Sequence, residues 1–231
     1  MSSLSDQQDL PMMKGSTKPS LEKIAYQKIR EQIICGNYLP GLLLSENELA
    51  DRLNMSRTPI RAAISLLETE GFVESIRGRG VFVKDISFRE FAEMFEVLTS
   101  MQLYGLEVAA MRKLSFDLPS MRVHLDRQIQ ASEESDYLAY YDSSLLFIGA
   151  MLSTVRNQNM LQILEQIKGK YMFKIISYRK VHANSLPKPN QAKQFNRRIY
   201  DSLERGDLEE ARKAVLELNE QVLMQFQQFY I

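Results

Sequence analysis

The chain has 231 residues, 45% of them hydrophobic and 25% charged, with 29 Lys+Arg balanced by 29 Asp+Glu, a single cysteine, two histidines and no tryptophan. That length supports one large domain or two smaller ones with cores of their own. The lone Cys35 excludes an internal disulfide, no apolar run approaches the roughly 18–20 residues of a membrane span, and residues 1–20 lack the apolar stretch of a secretory signal. The expected setting is the cytoplasm, without a membrane partner. The zero net charge means that any contact with a polyanion must rest on local basic groups.

Residues 1–20 are polar, are broken by Pro11, Gly15 and Pro19, and read as a flexible arm. Leu21, Ile24, Ala25, Ile29, Ile33 and Ile34 then follow helical spacing up to Gly36, and a turn over Asn37–Gly41 stops that helix. A second helix is predicted from Ser45, which has capping-box spacing with Glu48, through Leu49, Ala50 and Leu53 to Asn54. A third opens at Ser56, tolerates Pro59 in its first turn, and carries an apolar stripe of Ile60, Ala63, Ile64 and Leu67 before Gly71. The runs Phe72–Ile76 and Val81–Lys84, apolar and β-branched around Arg77-Gly78-Arg79-Gly80, predict a hairpin.

Beyond Asp85 glycine becomes sparse and helical periodicity takes over. Ser87 and Glu90 form a second capping box, opening a helix that ends near Leu114. Further helices are predicted over Leu118–Glu133, Tyr137–Thr154, Met160–Val181, Asn190–Arg205 and Leu208–Phe229. Gly206 followed by Asp207, with Glu210 three residues on, marks the sharpest break, and Asn184–Asn190, with two prolines, reads as a loop. The expected organisation is a flexible arm (1–20), a small mixed domain (21–84) and a larger helical domain (85–231). The fold class is mainly α: an N-terminal winged helix-turn-helix with a small β-hairpin wing, then a C-terminal all-α helical bundle.

Three short helices and a hairpin, with Leu53-Asn54-Met55 as the tight link before the third helix, have the element order of a winged helix-turn-helix. On the third helix Thr58, Arg61 and Ser65 lie away from the apolar stripe, and Arg57 stands at its exposed N-terminus. Arginine offers a planar fork of donors to guanine edges or phosphate, and the free N–H groups of a first helical turn favour an anion. Arg77 and Arg79 flank Gly78 at the hairpin tip, where a small residue lets backbone approach a sugar-phosphate strand. Residues 1–85 hold 11 Lys+Arg and 11 Asp+Glu. The acids Glu68, Glu70 and Glu74 fall at the end away from Arg57 and Arg61, so charge is segregated along the module.

The runs Leu44-Ser-Glu-Asn-Glu-Leu-Ala50, Met55-Ser-Arg-Thr-Pro-Ile-Arg61, Leu67-Glu-Thr-Glu-Gly-Phe-Val73 and Arg77-Gly-Arg-Gly-Val-Phe-Val83 resemble the DNA-binding domain of the GntR superfamily of bacterial transcription regulators. The resemblance implies that Ser56, Arg57, Thr58 and Arg61 contact double-stranded operator DNA and that Arg77, Gly78 and Arg79 sit at the wing. One position departs: where relatives often carry a DNA-contacting arginine, this chain has Asn47. That residue can read adenine or hold a phosphate but carries no charge.

The helical domain resembles, more weakly, the effector-binding and dimerisation domain of the FadR subfamily, the FCD type. Many such domains hold a divalent metal with one aspartate and three histidines. The resemblance places the aspartate at Asp142 and the histidines at Leu146, Asn196 and Leu218, so three of four ligands are missing and no metal or other cofactor is expected. His124 and His182 read as ordinary surface or hydrogen-bonding histidines. Where relatives carry an arginine and, four residues on, a glutamate, this chain has Leu98 and Gln102. Candidate effector-binding residues are Gln102, Tyr140, Tyr141, Asp142 and Asn196, with Met94, Met101 and Met151 nearby in the pattern. Such a lining suits a larger or less charged effector than a metal-bound small carboxylate.

The expectation is therefore a homodimeric, ligand-responsive repressor on a pseudo-palindromic operator, with no catalytic residues. Two alternatives stand beside it. One is a DNA-binding dimer whose helical domain senses nothing. The other is an enzyme fused to a DNA anchor, for which the sequence offers no triad, phosphate loop or metal cluster.

Overall fold

The computed structural model describes residues 19–182 and 191–227, with side chains through Met224. The expected arm, apart from Pro19 and Ser20, the loop over Asn184–Asn190 and the end of the last helix lie outside the described residues. Among these the first module consists of α1 (Leu21–Ile34), β1 (Leu43–Leu44), α2 (Glu46–Leu53), α3 (Arg57–Thr69), β2 (Val73–Ile76) and β3 (Gly80–Val83). The helices that follow are α4 (Phe88–Arg112), α5 (Leu118–Glu134), α6 (Tyr137–Ser153), α7 (Gln158–Val181), α8 (Gln191–Glu204) and α9 (Leu208–Gln227). No described helix is long and apolar enough to cross a membrane.

In the first module Ala25, Ile29 and Ile33 of α1, Leu49 and Ala50 of α2, and Ile60, Ala63, Ile64 and Leu67 of α3 bury one apolar stripe each into a shared core. Asn54 ends α2 in the left-handed conformation at φ 51°, which asparagine tolerates, and so permits the tight turn into α3. The hairpin is present and gains a strand: β1 adds to it antiparallel, giving the order β1-β3-β2 with Leu43 opposite Phe82 and Val73 opposite Val83. Two residues are too few to display strand alternation, so β1 is invisible without its partner. Gly80, at φ +120°, is required by this addition, because a Cβ there would stand 2.6 Å from the Leu44 carbonyl oxygen.

The capping box expected at Ser45 does not form. Ser45 is the N-cap of α2, but its hydroxyl makes no capping bond, and only its carbonyl enters the helix, accepting from the Leu49 N–H at 3.0 Å. The box at Ser87 and Glu90 is complete in both directions and starts α4. Asp117, Asp136, Asn157 and Asp207 cap α5, α6, α7 and α9 through their side chains.

In the bundle α4 packs on α6, α7 and α9, while α5 packs on α6 and α8. Phe91, Phe95, Tyr140, Tyr141, Phe147, Met151 and Tyr171 belong to its interior. The two cores meet on α7. Its Phe173, fully buried, belongs to the core of the first module and meets Phe72 edge-on with ring centroids 6.0 Å apart. Lys174 reaches Asp85 at 3.2 Å over the face of Phe88, and Lys180 donates to the Gly36 carbonyl at 3.2 Å and to Asn37 Oδ1 at 3.1 Å. Arg30 of α1 lies against Gly169, where a Cβ would overlap its guanidinium, and 5.4 Å from the Phe72 ring centroid.

Truncating Phe173 leaves a cavity in the first module although the residue belongs to the bundle's helix. Phe173→Ala is expected to cost about 3–5 kcal/mol in urea unfolding, with faster amide exchange in α1 and α3. A cost within about 1 kcal/mol of wild type, the size of a surface change, would show that α7 is no part of that core.

Candidate nucleic-acid interface

The stripe that buries α3 turns its other face outward. Ser56, Arg57, Thr58, Arg61 and Ser65 are all exposed, as is Asn47 near the start of α2. Ser56 is the N-cap of α3 but its hydroxyl makes no capping bond, so it is available beside the unpaired N–H groups of the first turn. Arg57 and Arg61, four residues apart, lie on one helical face.

An acid omitted from the expected segregation of charge stands between them. Glu46, at the start of α2, accepts through one carboxylate oxygen from Arg57 Nη2 at 3.1 Å and from Arg61 Nε at 2.8 Å. The Arg61 hydrogen bond, with that of Arg57, holds the Glu46 carboxyl below its ordinary range against the opposing effect of desolvation. The other acids are placed as expected: Glu70 pairs with Arg30 and accepts from the Tyr26 hydroxyl, and Glu68 accepts from the Ser75 N–H. Glu46 lay inside a recognised motif. The available signal was its position in the first turn of a helix that must cross the start of α3.

Arg77, Gly78 and Arg79 form the exposed tip between β2 and β3, closed by the Arg79 N–H donating to the Ile76 carbonyl at 2.9 Å. Neither arginine has an ion-pair partner among the described residues. The structure thus presents a recognition-type helix with two arginines joined by one acid, and a separate tip with two unpaired arginines.

In the bundle the expected effector residues are not gathered around one space. Asn196 Nδ2 donates to Gln128 Oε1 at 2.9 Å and to Ser144 Oγ at 3.1 Å, all three side chains being buried. The Tyr140 hydroxyl accepts from the Lys193 N–H at 3.0 Å, and Lys193 Nζ reaches Ser132 Oγ at 3.0 Å. Burial raises the pKa of Tyr140 and keeps it neutral. Tyr140 and Ser144, four apart, share one face of α6. Gln128 and Ser144 were missed by sequence reasoning, although the spacing from Tyr140 marks Ser144. Gln102 is buried and donates to the Leu98 carbonyl at 3.3 Å, and the Tyr141 hydroxyl accepts from Arg179 at 2.9 Å.

Asp142 points elsewhere. It pairs with Lys168 at 2.8 Å in a cleft of about 460 Å³ between α1, α5, α6 and α7, lined also by Arg30, Cys35 and Arg127. Of the positions that the metal of related domains would occupy, Leu218 is buried and apolar, Leu146 is half-buried and apolar, and Asn196 faces an amide and a hydroxyl. No group of three His, Cys, Asp or Glu among the described residues could hold a metal ion. The donors present do not fit one.

Residues 21–83 match the family model described as bacterial regulatory proteins, gntR family, and residues 93–221 match the FCD domain. The HTH-type transcriptional regulator YdhC of Bacillus subtilis (strain 168) is 21% identical over 83% of this chain and 84% of its own length. The gluconate operon transcriptional repressor of Bacillus licheniformis is 27% identical over 61% of this chain and 58% of its own. The solved structure of E. coli McbR/YncC superposes with a TM-score of 0.73 over 93% of this chain and 100% of that one at 20% identity, which shows the same fold. With an exposed arginine-bearing helix on a winged module followed by an FCD bundle, this chain belongs to the GntR family and is a DNA-binding transcription regulator.

Proposed function

We propose that the protein is a cytoplasmic, homodimeric repressor whose two winged modules (21–84) occupy successive major grooves of a pseudo-palindromic operator, under control of a ligand in the helical domain (85–231). The observation that carries the DNA-binding part is the outward face of α3, where Arg57 and Arg61 are exposed beside an N-cap hydroxyl that makes no bond within the helix. In this reading Arg61 reads a base edge, Ser56, Arg57 and Thr58 fix the helix N-terminus on phosphate, Asn47 contacts the same strand, and Arg77, Gly78 and Arg79 engage the adjacent groove. A relative named as an operon repressor supports the sign of regulation. The reading assigns no catalytic step.

For the effector, the buried amide and hydroxyl groups of Gln128, Ser144 and Asn196 beside Tyr140 support a neutral, hydrogen-bonding ligand in place of a metal-bound carboxylate. Gln128 Nε2 is buried there beside the Tyr140 hydroxyl, which it faces without a well-formed hydrogen bond. Gln102, Tyr141 and Asp142 bond instead to the Leu98 carbonyl, Arg179 and Lys168, and the reading places no ligand contact on them.

DNA selected from a randomised duplex pool by the wild-type protein should show a repeated half-site with two-fold symmetry. Arg61→Ala should lose at least a hundredfold in affinity for that DNA while eluting as the same dimer. Retention of that DNA at wild-type concentration would remove the assignment. Elemental analysis is expected to find no stoichiometric zinc, nickel or manganese. A panel of neutral polyols, sugars and amides should contain a compound that raises the melting temperature and alters operator affinity. A panel in which only divalent cations or carboxylates act would overturn the effector class.

A further inference from the structure

The arrangement of Glu46 between Arg57 and Arg61 goes beyond what is needed to hold α2 on α3, because the helices are already joined by Leu49, Ala50, Ile60 and Ala63 in the core. Glu46 is largely covered, at 29% side-chain exposure, whereas Arg57 and Arg61 are 54% and 61% exposed. The acid is thus the inner member of the cluster and the arginines are its outer members. We propose that Glu46 is a specificity-determining positioning residue, which orients the two arginines for base recognition and suppresses their binding to DNA of arbitrary sequence. The proposal rests on the reading of Arg57 and Arg61 as DNA contacts.

Two physical effects follow from the geometry. The first concerns which donors remain. Arg61 spends its Nε–H on Glu46, and its two terminal nitrogens make no hydrogen bond within the protein among the described residues. The end of the guanidinium is therefore presented outward, the edge that pairs with O6 and N7 of guanine. Arg57 uses one terminal nitrogen, leaving Nη1 and Nε for a phosphate. A long side chain held in this way loses less rotamer freedom when it meets DNA, which favours the complex that needs one geometry.

The second effect is charge. Arg57, Arg61 and Glu46 together carry one positive charge in place of two, and non-specific affinity for duplex DNA is set by the cations that displace counterions from phosphate. The Glu46 carboxylate behind the arginines also repels phosphates that do not sit in the one register where both arginines are satisfied. Glu46 thereby lowers affinity for all sequences, and the oriented arginines restore it for the operator alone. The unpaired Arg77 and Arg79 at the wing keep general attraction without this filter.

The test compares wild type, Glu46→Gln and Glu46→Asp on two probes: the duplex selected from a random pool, and poly(dI-dC) as sequence-neutral DNA, each titrated over a range of salt. Glu46→Gln is expected to bind poly(dI-dC) several-fold more tightly, with a log–log salt slope steeper by about one. Its ratio of selected to neutral affinity should fall at least tenfold. Glu46→Asp keeps the charge but shortens the reach, so it should retain the wild-type slope and lose only part of the ratio. Melting temperatures separate these effects from unfolding. If Glu46→Gln keeps both slope and ratio, or if both probes weaken in parallel with a lowered melting temperature, the residue is structural and the proposal is overturned. It is overturned equally if Glu46→Asp shares the slope of Glu46→Gln. Failure of the DNA-contact reading itself would appear separately, as undiminished binding by Arg61→Ala.

Discussion

The structure depends on one helix that belongs to two cores. Along α7, Gly169, Phe173, Ile176 and Lys180 recur at spacings of four, three and four, which places them on one helical face. That face meets Arg30, Phe72, Gly36 and Asn37 of the winged module. Tyr171 and Tyr178 face the bundle, where they meet Phe91 and Phe88, and Arg179 reaches Tyr141. Because packed interiors resist small displacements, a helix shared in this way cannot shift against one core without disturbing the other. Phe72 directly follows the turn that ends α3, so the recognition helix is anchored at its C-terminal end to a bundle helix. The same α7 holds α6 through Lys168–Asp142 and Arg179–Tyr141. A ligand response of the kind proposed needs a physical link of this sort between bundle and head.

What the sequence displayed and what it concealed divide along the same line. Helix stripes, the Ser87–Glu90 box, the helix stop at Asn54 and the glycine-rich hairpin tip are local features, set by neighbours three or four residues away, and each stands where the sequence placed it. The strand β1 exists only by pairing with β3. The hydroxyl of Ser45 has the spacing for a cap but makes none. Phe173 has the same helical spacing whichever core receives it, and nothing local says that it serves the winged module. The exposure of Thr58 and Arg61 followed from periodicity and that of Arg57 from its place at the helix start, Asn47 and Ser56 came by resemblance, and the acid between the arginines comes from another helix and required the crossing of α2 over α3. In the bundle, assigning Asp142 by resemblance to the interior ran against its position two residues from Ser144. On a helix that separation is about 200°, so only one of the two can face Asn196.

The zero net charge acquires a structural meaning at the head. Arg30 is occupied with Glu70 and Phe72 beside α7, far in function from the exposed face of α3. The other described cations of the head are exposed, and two of them, Arg57 and Arg61, are shared with Glu46. Such pairs contribute only about 0–1 kcal/mol to stability where solvent reaches them. Their retention is better understood through geometry and through the salt dependence of DNA binding than through the folding free energy.

The bundle interior shows the converse arrangement, polar groups without charge in a setting that would accept hydrocarbon. Gln128 and Asn196 are each almost wholly buried, and leaving one amide donor unpaired there costs on the order of 1–3 kcal/mol. Leucine at position 128 would remove that donor, at the cost of the acceptor that Asn196 Nδ2 now uses. Under the proposed effector reading, the acceptor that such a cluster still lacks would come from the ligand and meet Gln128. Beside these dipoles the Lys193 ammonium reaches Ser132 Oγ while the Lys193 backbone N–H donates to the Tyr140 hydroxyl, so one cation borders a cluster that is otherwise neutral.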